Sequence, residues 1–129
     1  MILDSSVIVS VLLDGVDHPE IEEKLGEAAV CRVGAPTLVE TGMVLTSRLG
    51  LAGRSLLGRF LQEKDVEIVD FTAEHWAIAY DAFSRFGKGR HPAGLNFGDC
   101  MSYAVAAVAG EPLFCVGDGF PRTDLTLVK

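Results

Sequence analysis

The chain has 129 residues with 18 acidic and 11 basic side chains, a formal net charge of −7, and is 49% hydrophobic and 22% charged. That length and apolar content suit a single domain over residues 1–129, able to bury a core without disulfide staples, and exclude a disordered or low-complexity chain. The acidic balance excludes generic nucleic-acid binding by a basic body, since non-specific affinity for phosphate comes from clustered Lys and Arg.

Short apolar runs alternate with longer segments of helical period, the pattern of an α/β domain with a mainly parallel sheet. Residues 1–4 predict a first strand that ends on Asp4, a carboxylate that must be hydrated, capped or bound to a cation. Helices are expected over 6–13 and 19–27, a second strand over 30–34, and helices over 37–49 and 55–63. A third strand follows at 66–69, then a helix over 73–86, an irregular loop over 87–95, a helix over 97–109 and a last strand over 113–116. Pro19 and Pro36 suit helix starts, and Gly50, Gly87 and Gly110 suit helix stops. The helix pair between the second and third strands is too long for a hairpin and fits a right-handed crossover.

Cys31, Cys100 and Cys115 are an odd count without a CxxC pair, which reads as core thiols in a reducing cytosol. No secretory leader pattern opens the chain, and no apolar run approaches the ~18 residues that span a bilayer, so a soluble, cytoplasmic protein with no membrane partner is expected. His18, His75 and His91 are widely separated and lack HxxxH or HExxH spacing, which argues against zinc.

Four acids fall at related places: Asp4 ends the first strand, Glu40 lies in the first turns after the second, Asp99 opens the last long helix, and Asp118 follows the last strand. In a parallel α/β sheet the carboxyl ends of the strands and the first turns of the following helices share one edge. Each acid also has an ordinary structural role open to it. Asp4 can cap the first helix, Thr37 to Glu40 and Asn96 to Asp99 match capping boxes, and Gly117-Asp118-Gly119 is turn chemistry. Capping gives no reason for four chain-distant acids to gather, and gathered carboxylates repel until one takes up a proton. A hard divalent cation, Mg²⁺ or Mn²⁺, removes that cost. Such a site suits phosphodiester hydrolysis, in which the metal activates an attacking water. There is no Walker A loop, GxGxxG turn or GxSxG elbow to point elsewhere. For phosphate contact the best basic cluster is Arg85, Lys88, Arg90 and His91, which reads equally well as a solvated helix end.

The opening Met-Ile-Leu-Asp4-Ser5-Ser6, the Thr-Leu-Val-Glu40 segment, the stretch from Lys88 to Asn96-Phe-Gly-Asp99, and the tail Val-Gly-Asp118-Gly-Phe-Pro-Arg-Thr-Asp124 together resemble a PIN-domain ribonuclease, more narrowly a toxin of the VapC type. The resemblance spans essentially the whole chain. It implies a three-layer α/β/α sandwich and cleavage of RNA with one or two Mg²⁺ or Mn²⁺ ions. Asp4, Glu40 and Asp99 match the three acids of the family motif, and Asp118 the more variable fourth, with Asp4, Asp99 and Asp118 as metal ligands. Ser5 or Ser6 stands where the family has a hydroxyl that orients the first carboxylate, and Asn96 stands to orient Asp99. The resemblance also implies a VapB-type antitoxin whose basic residues enter the acidic pocket, and a homodimer through apolar helix faces. One departure is Gly119, where the family often has a further acid. Asp124 is assigned to local turn structure. Two other readings stay open: a PIN nuclease of RNA processing or decay, and a degenerate binding module suggested by Gly119.

Overall fold

The computed structural model describes residues 1–13 and 18–129. Strands β1 (Ile2–Leu3), β2 (Arg32–Gly34), β3 (Glu67–Val69) and β4 (Leu113–Phe114) form one sheet in the order β3-β2-β1-β4, with every pair parallel. Between them run α1 (Ser5–Leu13), α2 (Pro19–Glu27), α3 (Ala35–Leu49), α4 (Ala52–Glu63), α5 (Ala73–Phe86) and α6 (Phe97–Ala109), and a 3-10 turn (Phe120–Arg122) follows β4.

The two-residue period of the strands divides the core in two. Ile2 and Leu113 pack with Ala79 and Ala82 of α5 and Tyr103 and Val105 of α6. Their neighbours Leu3 and Phe114 point the other way, into a cluster with Val7, Ile21, Leu25, Val33 and Phe60. Strands β1 and β4 are buried on both faces, as all-parallel pairing requires, while the edge strand β3 keeps Ile68 57% exposed; the outcome is the expected three-layer α/β/α sandwich.

The strands are shorter than the apolar runs that predict them. Beyond β4, the Val116 amide donates to the Ser6 hydroxyl at 3.0 Å instead of extending the ladder. Helix α3 begins at Ala35 with Gly34 as its N-cap and Pro36 in its first turn, so Thr37 lies inside the helix and the capping box read from Thr37 to Glu40 does not form. Helix α4 begins at Ala52, because the turn after Gly50, closed by Gly53 N to Gly50 O at 3.1 Å, already has helical form. No helix among the described residues is long and apolar enough to cross a membrane.

The chain runs from β1 outward to β2 and β3, then returns to place β4 on the other side of β1. The carboxyl ends of β1 and β4 therefore flank the point where the strand order reverses, the place where open α/β sheets leave a crevice.

Candidate active site

Asp4 leaves β1 at that crevice and is 4% exposed. Its Oδ2 accepts the Ser6 amide at 3.1 Å, which caps α1, and its Oδ1 accepts the Ser102 hydroxyl at 2.6 Å. Ser102 has one hydroxyl proton and gives it to the carboxylate, so in the 3.2 Å contact between the two hydroxyls Thr37 is the donor. The relay Thr37 to Ser102 to Asp4 crosses α3, α6 and β1, and holds the buried carboxylate in one orientation. Thr41, also buried, donates to the Thr37 carbonyl at 2.7 Å.

Asp99 sits in the first turn of α6, where the predicted capping box does form. The Asp99 amide donates to Asn96 Oδ1 at 2.9 Å and the Asn96 amide to Asp99 Oδ2 at 3.0 Å. This leaves Oδ1 of Asp99 outside the box. Glu40, released from capping by the early start of α3, extends to the first turn of α6 and lies against Gly98. Its Oε1 is buried without a hydrogen-bond partner among the described residues.

Asp4, Ser5, Ser6, Glu40, Asn96 and Asp99 line one cavity of about 380 Å³, closed by Ala93–Leu95 of the loop before α6 and by Val116, Gly119 and Phe120 after β4. Among the described residues no Lys, Arg or His lines it. Burial pushes the Glu40 carboxyl above the usual range, and the charges of Asp4 and Asp99 push it further, while the Ser5 hydroxyl pulls the other way. Asp99 is raised by burial and by Asp4, against the opposing pull of the Asn96 amide. Two carboxyls raised by burial and by neighbouring carboxylates, together with an orphaned carboxylate oxygen, are the signature of a site short of positive charge. The donors are hard oxygens, which fit Mg²⁺ or Mn²⁺. Among the described residues no three such side chains converge tightly enough to enclose an ion by themselves. Mg²⁺ keeps several waters and needs only one or two carboxylates directly, so the donor set fits a hydrated ion.

Other predicted residues lie elsewhere. Asp118 is exposed in the bend after β4 and does not line the cavity, whereas its neighbour Gly119 does. A Cβ on Gly119 would stand 2.9 Å from the Ala93 carbonyl, so the wall is closed by backbone where a fourth acid would otherwise project. Ser6 lines the cavity but turns its hydroxyl to the Val116 amide. The basic cluster divides. Arg85 pairs with Asp124 at 2.8 Å and Asp81 at 3.4 Å, and His91 accepts the Ala93 amide on Nδ1 at 3.0 Å, shaping the loop. Lys88 and Arg90 stay exposed on that loop, the Arg90 guanidinium 5.8 Å from the Phe83 ring centre. Asp124, far from being a local turn residue, joins α5 and α6 to the tail through Arg85 and through Tyr103, whose hydroxyl donates to it at 2.6 Å.

Sequence reasoning missed Ser102 and took Thr37 only as a cap, not as the hydroxyl that bonds Ser102. Ser102 carries a readable signal: it stands three residues after Asp99, on the same helix face, in an otherwise apolar segment.

A family model for the PIN domain matches residues 1–125. Ribonuclease VapC36 of Mycobacterium tuberculosis is 43% identical over 126 residues, covering 97% of this chain and 91% of the relative. Ribonuclease VapC of Mycolicibacterium smegmatis is 38% identical over 128 residues, 99% of each chain. Among solved structures, a chain of VapBC2 from Rickettsia felis, bound to a DNA fragment from their promoter, superposes with a TM-score of 0.80 at 16% identity, covering 99% of this chain and 96% of that one.

Proposed function

The chain belongs to the PIN-domain family, among the VapC ribonucleases, and from that premise we propose that it is a divalent-metal-dependent endoribonuclease and the toxin of a toxin–antitoxin pair. The observation that carries this reading is the placement of Asp4, Glu40 and Asp99 on one cavity that no cationic side chain lines. Asp4 and Asp99 hold the ion, Asp4 oriented by Ser102 and Asp99 by Asn96. When bound there, Mg²⁺ or Mn²⁺ supplies a Lewis acid for the phosphodiester and an acidified water. Glu40, on the same cavity, would accept a hydrogen bond or a proton there. One ion suits a cavity lined by three carboxylates, and Asp118 lies outside that lining. Lys88 and Arg90, on the loop that closes the cavity, meet the RNA backbone, whereas Arg85 is engaged by Asp124.

The same acidic cavity receives a basic segment of a VapB-type antitoxin, since Arg matches carboxylates bidentately. Support comes from the fold relative solved as a VapBC pair. A second copy of the chain covers the aromatic face of α5. Trp76, Tyr80 and Phe97 are 66%, 70% and 78% exposed around a groove of about 600 Å³. At ~200 Å² per aromatic side chain, these three and Phe83 expose about 500 Å², near the upper limit for one apolar patch on a monomer. That area is more than about half of the ~800 Å² per partner of a standard interface.

RNA cleavage with Mg²⁺, with chelator, and with Asp4→Asn and Asp99→Asn tests the reading. Each removal is expected to cost at least about a hundredfold in rate, about 2.7 kcal/mol of transition-state stabilisation. Cleavage that survives chelation sinks the metal mechanism. If wild type binds no Mn²⁺ saturably, the degenerate binding module takes its place.

A further inference from the structure

Glu40 and Asp99 belong to different helices, and the carboxylate of one lies on the backbone of the other. A Cβ built on Gly98 would overlap Oε2 of Glu40 and stand 2.6 Å from its Cδ and 2.7 Å from its Oε1. Gly98 is buried inside α6, without the positive φ that would demand glycine for its conformation. Glycine is a poorer helix former than alanine, so its presence in the first turn calls for another reason.

Glu40 supplies that reason. Beside the Ser5 hydroxyl that bears on the carboxyl, packing has a part in placing it, since Oε1 has no hydrogen-bond partner among the described residues. The wall it packs on is firm, because the reciprocal bonds between Asn96 and Asp99 fix the turn that contains Gly98. Resting on the metal reading above, we propose that Gly98 is a positioning residue: its missing side chain is the seat that sets the Glu40 carboxylate beside Asp4 and Asp99, and so sets the cation affinity of the site.

A methyl group at position 98 would meet the end of a flexible side chain, so Gly98→Ala is expected to fold and displace Glu40. In metal-free protein, Gly98→Ala is expected to raise Tm by roughly 2–4 °C when Glu40→Ala has opened the space, and by less, or with opposite sign, in wild type. Mn²⁺ titration by calorimetry is expected to show at least about tenfold weaker binding for Gly98→Ala, partly recovered in Gly98→Ala/Glu40→Asp, whose shorter acid draws back from the methyl group; a general loss of structure would give no such rescue. Additive Tm shifts, or Mn²⁺ affinity unchanged by Gly98→Ala, overturn the inference. A wild type that binds no Mn²⁺ sinks the functional reading instead, and the metal-free cycle still decides whether Glu40 is seated on Gly98.

Discussion

Ser102 places one hydroxyl between two polar groups that the core has taken out of water, and its proton goes to the more demanding of them, the Asp4 carboxylate. Removing a donor from a buried acceptor costs its desolvation, so Ser102→Ala is expected to lower stability by about 1–3 kcal/mol in urea unfolding. A loss below ~0.5 kcal/mol would show that Asp4 finds another donor. Glu40 makes the opposite contribution. Its folded carboxyl titrates above the ordinary ~4.3, chiefly through burial, then through Asp4 and Asp99. The folded state therefore holds that proton more tightly than the unfolded state. The stabilisation is complete below about pH 4 and is lost as pH rises through the raised folded value. Metal-free Glu40→Gln should accordingly lose less stability than wild type between about pH 4 and neutrality, read as Tm against pH in chelator. Parallel curves would contradict the assigned shift.

Helices α5 and α6 meet through small side chains, Ala79 and Ala82 against the Tyr103 face, and the tail is fastened over them by one cluster. Tyr103 and Arg85 both bond Asp124, and the hydrogen bond from Tyr103 holds the Asp124 carboxyl below its usual range. Burial and the same carboxylate push the Tyr103 hydroxyl up to about 12. The fastening matters for the cavity, because Gly119 and Phe120 reach its wall just ahead of Asp124. Tyr103→Phe is expected to cost about 1.5–3 kcal/mol, the worth of a hydrogen bond to a charged acceptor, nearer the lower figure because Asp124 is half exposed. The depressed Asp124 carboxyl contributes fully above its unfolded value near 3.9, and the contribution is lost as pH falls through the folded value. The difference between wild type and Tyr103→Phe should therefore shrink in acid. A difference that stays constant below pH ~3 would mean that Asp124 is not the acceptor.

Across the whole molecule, an acidic body leaves its own cavity without a cation among the lining side chains. A ligand that binds only the folded state stabilises it by mass action, about 2.7 kcal/mol at a hundred times Kd. Mn²⁺ at that excess should raise wild-type stability by this amount, chelator should reverse it, and Asp99→Asn should abolish it. Stabilisation of equal size in Asp99→Asn would place the ion elsewhere. The aromatic face is the other large-scale feature. Sedimentation of wild type beside Trp76→Ala/Tyr80→Ala should resolve dimer from monomer if a second copy covers it.

Hydrophobic period and punctuation determined the order of the elements, the parallel sheet and the edge on which Asp4, Glu40 and Asp99 fall, because strand and helix repeats are local properties of the chain. The same locality explains the misreadings. Thr37 looks like a cap until its hydroxyl meets Ser102, and Arg85 looks like a free cation until α6 and the tail bring Tyr103 and Asp124 to it. Which side chains share the cavity was decided only by packing: Gly119 is inside and Asp118 outside, though they are neighbours in sequence. The worth of Gly98 was likewise invisible, since a missing Cβ acquires meaning only from what another helix puts in its place.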